Sequence, residues 1–170
     1  MLTLMNLKSC VRTVKNNFFR KYGKIIRMKS MILTVLIIFT VSINSISSTR
    51  FISVVIKKEK FIIEIADTEN KKVVGLMYRK NIPQNFGMLF TYPNEDYRGM
   101  WMKNTLINLD LIFLNKDKEI IDIKHNVPPC ENDPCKTYIS KRKAQFVLEI
   151  KGKKSKELDL KEGDRISFIL

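Results

Sequence analysis

The chain contains one histidine among its 170 residues, one tryptophan and three cysteines. A lone imidazole leaves little room for histidine-based chemistry, and no Ser-His-Asp order, phosphate loop or zinc-protease motif occurs. Base-reading motifs and aromatics interleaved with basic residues are missing as well, so nucleic acid is not an expected partner despite a net charge of +14. Acidic residues are absent from positions 1–47, where eight basic ones stand; the remainder carries 23 basic against 17 acidic side chains, or +6. Its lysines are spread among Glu and Asp, which reads as a solvated surface with a modest lean toward anionic partners such as phospholipid head groups or acidic glycans. With 45% hydrophobic and 28% charged residues the composition is that of a folded chain, and the length suits one domain.

Residues 31–46 are almost wholly apolar or small and carry no charge, and they follow Lys8, Arg12, Lys15, Arg20, Lys21, Lys24, Arg27 and Lys29. A basic stretch followed by an apolar one is the order of a targeting segment, so the domain behind it is expected to be exported, to the periplasm or the outside. Sixteen residues at ~1.5 Å each span ~24 Å, short of the ~30 Å hydrocarbon layer, which favours a cleaved signal over a spanning helix. Small residues at Ser45 and Ser47 place the expected cleavage after Ser47. Retention as a membrane anchor is the second reading. A start at Met28 would give a signal of ordinary length; the competing reading is a long basic extension held in the cytoplasm by the positive-inside bias.

Residues 48–170 read as one mainly β domain, barrel-like or sandwich-like, with one or two short helices. Apolar runs at 52–56 and 61–65, split by Lys57, Lys58, Glu59 and Lys60, predict a hairpin. Asp67 or Thr68 can cap a short helix reaching Tyr78, with Val73, Val74 and Met77 facing the core, although Gly75 weakens it. Strands are expected at 88–92, 100–102, 109–114, 120–123, 144–150 and 165–170, the third and fourth forming a second hairpin around the turn 115–118. Between them, 93–98 is a loop and 126–143, with Pro128, Pro129 and Pro134, is a long polar one of the kind that is often functional. One helical turn is expected at 153–158.

The run Glu64-Ile65-Ala66-Asp67-Thr68 is followed by Gly75-Leu76-Met77-Tyr78-Arg79, Gly87-Met88-Leu89-Phe90 and Trp101-Met102-Lys103-Asn104-Thr105. Then come Leu109-Asp110 with Phe113, Pro129-Cys130 with Pro134-Cys135, Tyr138, Leu148-Glu149 and Gly163-Asp164. In order and spacing this set resembles the family called domain of unknown function 192, over about residues 60–170. The resemblance implies a compact β-barrel-like domain, often exported, with no established activity. The chain departs from the family pattern at Lys118-Glu119, where a Gly commonly follows the acidic turn residue, and at the basic stretch Lys141-Arg142-Lys143.

Several side-chain sets carry candidate chemistry, each with a structural alternative. Cys130 and Cys135 are expected to form a disulfide in an oxidising compartment, a staple worth about 2 kcal/mol. Metal binding would need more ligands, with His125 and Asp133 the nearest, and no metal or cofactor is expected. Met77, Met88, Met100 and Met102 form a thioether set suited to Cu(I), but methionine is first of all a core filler. Strand alternation would put Trp101, Lys103 and Thr105 on one face, able to stack a sugar or other flat ligand while Lys103 holds an anionic group. In the alternative, Trp101 is core and Asn104-Thr105 a turn. Available acids and bases are Asp110, Glu64, Asp67, Glu149 and His125. Asp110, set in an apolar stretch, is expected to be partly buried with a raised pKa or paired with Lys103 or Arg79, as a structural ion pair or a catalytic acid. Together these point to a non-catalytic binding or accessory module of the cell envelope. Its ligand surface is placed at Arg79, Trp101, Lys103, Asn104 and Asp110, and its partner is a small molecule, a glycan or an envelope protein. The alternatives are an envelope enzyme acting on a glycan or lipid-linked substrate through Asp110 and Lys103, and copper or redox handling.

Overall fold

The computed structural model describes residues 49–170. The apolar segment 31–46, the cleavage expected after Ser47 and the alternative start at Met28 lie outside the described residues. No described helix is long and apolar enough to cross a membrane.

Strands β1 (Phe51–Ile56) and β2 (Glu59–Ala66) form the expected hairpin, with Ile56 opposite Glu59 and Lys57 in the left-handed region at φ 56°. A short helix, α1 (Glu69–Val74), carries the chain over to β3 (Phe86–Asp96), which lies parallel to β2. Next come β4 (Gly99–Trp101), β5 (Leu109–Leu114), β6 (Ile120–Val127), β7 (Thr137–Ile139), β8 (Ala144–Lys151) and the single turn α2 (Lys154–Glu157). Six strands build one sheet in the order β1-β2-β3-β8-β5-β6, while β4 and β7 pair separately.

The mainly β character and the two short helices agree with the sequence. The barrel-like reading does not extend to closure, since the sheet is open. Strands β1 and β6 are the sheet's two edges and do not pair with each other. Single bridges instead tie the C-terminal segment to both sides, Ser167 to Val55 of β1 and Arg165 to Glu119 beside β6. Ile166 and Phe168 are buried, but Ile169 is 90% exposed, so the segment expected to be the last strand docks through two side chains without completing a ladder.

Strand β8 is the middle of the sheet, and its alternation organises two cores. Phe146, Leu148 and Ile150 join Phe61, Ile63, Leu89, Ile112 and Leu114 on one face. Val147 joins Met88, Phe90, Leu111 and Phe113 on the other, under Leu76, Met100 and Met102. With both faces covered, the central strands read as continuous apolar runs, which is why all six residues of β5 are buried. Strand β3 extends past the expected Tyr92 through Pro93 because an irregularity between Thr91 and Asp96 takes up the proline, which cannot donate to the ladder.

The β3–β8 contact tolerates no added bulk at Gly87. A methyl group there would stand 2.6 Å from the backbone oxygen of Glu149 and 3.0 Å from side-chain atoms of Ile150 and Ile63. Gly87→Ala is therefore expected to destabilise by about 2–3 kcal/mol, at the upper end for overpacking, since backbone has to move. Urea unfolding measures it; an unchanged midpoint would place β3 differently against β8.

Candidate functional site

The site is built where α1 and the turn after β4 meet over the second core. Thr68 caps α1, its hydroxyl accepting from the Lys71 amide at 3.3 Å. Gly75 ends the helix at φ 49°, and a Cβ there would come within 3.2 Å of the Phe90 ring, so conformation and contact both call for glycine. The helix expected to reach Tyr78 thus stops four residues early. Leu76 becomes the buried anchor, while Val73 and Val74, expected in the core, are 59% and 45% exposed. Beyond it, two left-handed residues interlock: Tyr78 at φ 62° donates its amide to the Asn104 carbonyl at 2.8 Å. Asn104, at φ 54°, returns a side-chain N–H to the Tyr78 hydroxyl at 2.9 Å.

Between these clamped segments lies a cavity of about 20 Å³, whose lining includes Val73, Val74, Met77, Trp101, Thr105 and Glu149. That is room for about one water molecule. Glu149 reaches it from the middle of β8, where its neighbours are Met88 of β3 and Leu111 of β5. It is 4% exposed, and its carboxyl has no hydrogen-bond partner among the described residues. The reason is positional: backbone amides around a central strand are committed to the ladder, so none is left for a side chain. Arg79 favours the charged form, but its guanidinium is held by Glu64 at 2.7 Å. Burial therefore dominates and pushes the Glu149 carboxyl up to about 8, so that it keeps its proton at neutral pH.

The five residues singled out in the sequence do not form one site. Trp101 is 45% exposed at the cavity mouth, not core. Lys103 lies 5.9 Å from its ring and pairs with Asp133 at 3.2 Å. Strand alternation does not carry the stretch, because β4 stops at Trp101 and Met102 to Thr105 close a turn through a 3.1 Å backbone bond, leaving Thr105 buried. Asn104 belongs to the clamp and Arg79 to the pair with Glu64. Asp110 stands apart. It is fully buried on β5, in step with Ile112 and Leu114 of the first core, and it accepts the amides of Asn126 at 2.6 Å, Lys153 at 3.0 Å and Ser155 at 2.6 Å. It pairs with neither Lys103 nor Arg79; it fastens the ends of β6 and α2 to β5. Sequence reasoning counted Glu149 among the available acids but gave it no role, although it stands in a run as apolar as the one around Asp110.

Elsewhere, the Sγ atoms of Cys130 and Cys135 lie at disulfide distance with their Cα atoms 5.6 Å apart. Asp133 is close enough to both for the three to form a metal-sized cluster, but paired sulfurs have no thiolate to offer. Of the four methionines, Met77 and Met100 line the cavity with Glu149; Met88 and Met102 are packed in the second core. His125 is exposed, with Nδ1 2.8 Å from the Ser155 hydroxyl.

An open six-stranded sheet with a buried acid in its central strand, lining a slot with Trp101, defines a small mainly β domain. The chain belongs to the domain of unknown function 192 family, described as uncharacterized ACR, whose profile matches residues 52–168. It is 27% identical over 117 residues to a UPF0127 protein of Pyrococcus furiosus, covering 66% of this chain and 90% of that one. A UPF0127 protein of Thermococcus gammatolerans is 30% identical over 108 residues, covering 62% and 65%. Among solved structures, a protein of unknown function from Novosphingobium aromaticivorans superposes with a TM-score of 0.62 at 27% identity, over 74% of this chain and 90% of that one. A Sinorhizobium meliloti protein described as a candidate transcription regulator gives 0.63 at 28%, over 71% and 93%.

The raised Glu149 pKa makes stability depend on pH in a definite direction. Below its ordinary value of 4.5 the group is neutral folded and unfolded; between there and about 8 only the unfolded chain ionises, so stability falls as pH rises, and above 8 the loss is complete. The slope is ~1.4 kcal/mol per pH unit for one such group. Glu149→Gln lacks this penalty. Its stability advantage over the wild type is expected to grow from pH 5 to 8, to about 4 kcal/mol, and then level off in urea titrations. A pH-independent difference would contradict the assignment.

Proposed function

We propose that the chain is a non-catalytic ligand-binding module of the cell envelope, exported by its N-terminal segment. The surface runs from Trp101 and Lys103 over the clamp of Asn104 and Tyr78 to Arg79. A flat ligand stacks on the indole, and Lys103, exchanging its Asp133 partner, supplies a cation for an anionic group. One observation carries this reading: the chain's only tryptophan is half exposed, beside an ammonium group and two exposed valines, at the mouth of a cavity. A large apolar ring left at the surface in such company is the usual mark of a binding site. The net +6 of residues 48–170 supports an acidic partner, such as a uronate-containing glycan. Asp110 leaves the proposed surface, since three backbone amides already occupy its carboxylate. With it goes the support for an enzyme working through Asp110 and Lys103.

Trp101 is its own reporter, because no other indole contributes to the emission. Titration with trigalacturonate is expected to shift that emission saturably. Calorimetry on Trp101→Ala and Lys103→Met should show binding weakened at least about tenfold, the equivalent of ~1.4 kcal/mol. Binding of equal strength in both variants would remove this surface from consideration.

A further inference from the structure

We infer that the slot beneath Trp101 is a hydroxyl-recognition subsite for a saccharide, in which the Glu149 carboxyl exchanges hydrogen bonds with a single sugar hydroxyl while the ring stacks on the indole. This rests on the reading of Trp101 as a stacking platform and names the ligand class that the cavity adds to it.

Three observations converge on a hydroxyl. Size comes first: about 20 Å³ is room for one water-sized group. The second is the unmet demand of Glu149, which is 4% exposed, lines the slot and has no hydrogen-bond partner among the described residues. A ligand group entering the slot would supply the partner that the protein does not. The third is complementarity. A protonated carboxyl presents one O–H donor and an acceptor oxygen, and a hydroxyl presents the same pair reversed. Thr105, buried beside Glu149 in the lining, adds a second hydroxyl to the same pocket.

The groups around Glu149 keep it in that neutral, two-way state. Arg79, from the segment after α1, faces it but is tied to Glu64 of β2 at 2.7 Å. Lys72 of α1 lines the cavity and is held by Glu69 at 2.9 Å while lying 4.7 Å from the Tyr92 ring of β3. Burial, and after it the charges of Glu149 and Glu69, hold the Tyr92 hydroxyl above its usual pKa, against the pull of Arg98. Met88 and Leu111, its strand neighbours, bring no charge. A cationic ligand group would meet Lys72 at the entrance, and an anionic one would suppress the acceptor role by forcing a proton to be shared. A neutral hydroxyl meets neither obstacle. At the mouth, the exposed indole offers the flat apolar face against which the C–H side of a pyranose packs.

The test uses the full chain, trigalacturonate as the probe, and Trp101 emission with calorimetry as readouts, at pH 6 and pH 9. The probe's carboxylates are ionised at both values, so a change in affinity reports the protein. Wild type is expected to bind at least tenfold more weakly at pH 9, as Glu149 ionises. Glu149→Gln, whose amide keeps one donor and one acceptor, is expected to bind with the same affinity at both values. Glu149→Leu is expected to bind at least tenfold more weakly than wild type at pH 6, with a cooperative unfolding curve showing that it is folded. Saturable Trp101 binding that is indifferent to pH and to Glu149→Leu would overturn the subsite while leaving the stacking surface in place. No saturable response with trigalacturonate or with neutral cellotriose at either pH would overturn both.

Discussion

A carboxylic acid without a partner, set in the central strand of a sheet, is the constraint on which the rest of this structure turns. Strand β8 has neighbours on both sides and a core on each face, so an acid placed on it finds no spare amide. Glu149 meets this condition by keeping its proton, up to about pH 8. Holding it there opposes folding across most of the neutral range. A hydrophobic residue of similar size would remove that penalty.

Asp110 shows the other outcome for a buried acid in the same sheet. It lies one residue from the start of β5, where chain ends and turns bring loose amides within reach, and three of them converge on it. Its burial is repaid in full by hydrogen bonds, and it holds β6 and α2 in place. Two acids in similar apolar sequence therefore do opposite work, one closing the fold and the other lining a slot. The clamp of Tyr78 and Asn104 completes the division, since two residues in left-handed conformation hold the roof of the slot against each other.

Much of the framework was legible in the sequence. The first hairpin, β5, β8 and the short helical turn at α2 follow from apolar period and turn residues, and their positions agree with the structure to within a residue or two. The barrel was misjudged because closure depends on whether a terminal segment forms a full ladder, and a local apolar pattern at 165–170 is the same in either case. The end of α1 was misplaced because Gly75 was weighed as a weak helix former, whereas the structure uses it as a stop packed against Phe90. Trp101, Lys103, Asn104 and Arg79 were singled out through motif density. Glu149 was passed over for Asp110 because sequence shows how apolar a neighbourhood is but not which backbone amides are free within it. That distinction exists only once strand order is known.

The most direct measurement is a carbon-13 NMR titration of the Glu149 side-chain carboxyl in the folded protein, assigned by its loss in Glu149→Gln. A midpoint near pH 8 is the expected result. A midpoint at the ordinary carboxylate value, near 4.5, would mean that the group is solvated or paired, and the slot with its proton-bearing floor would not exist.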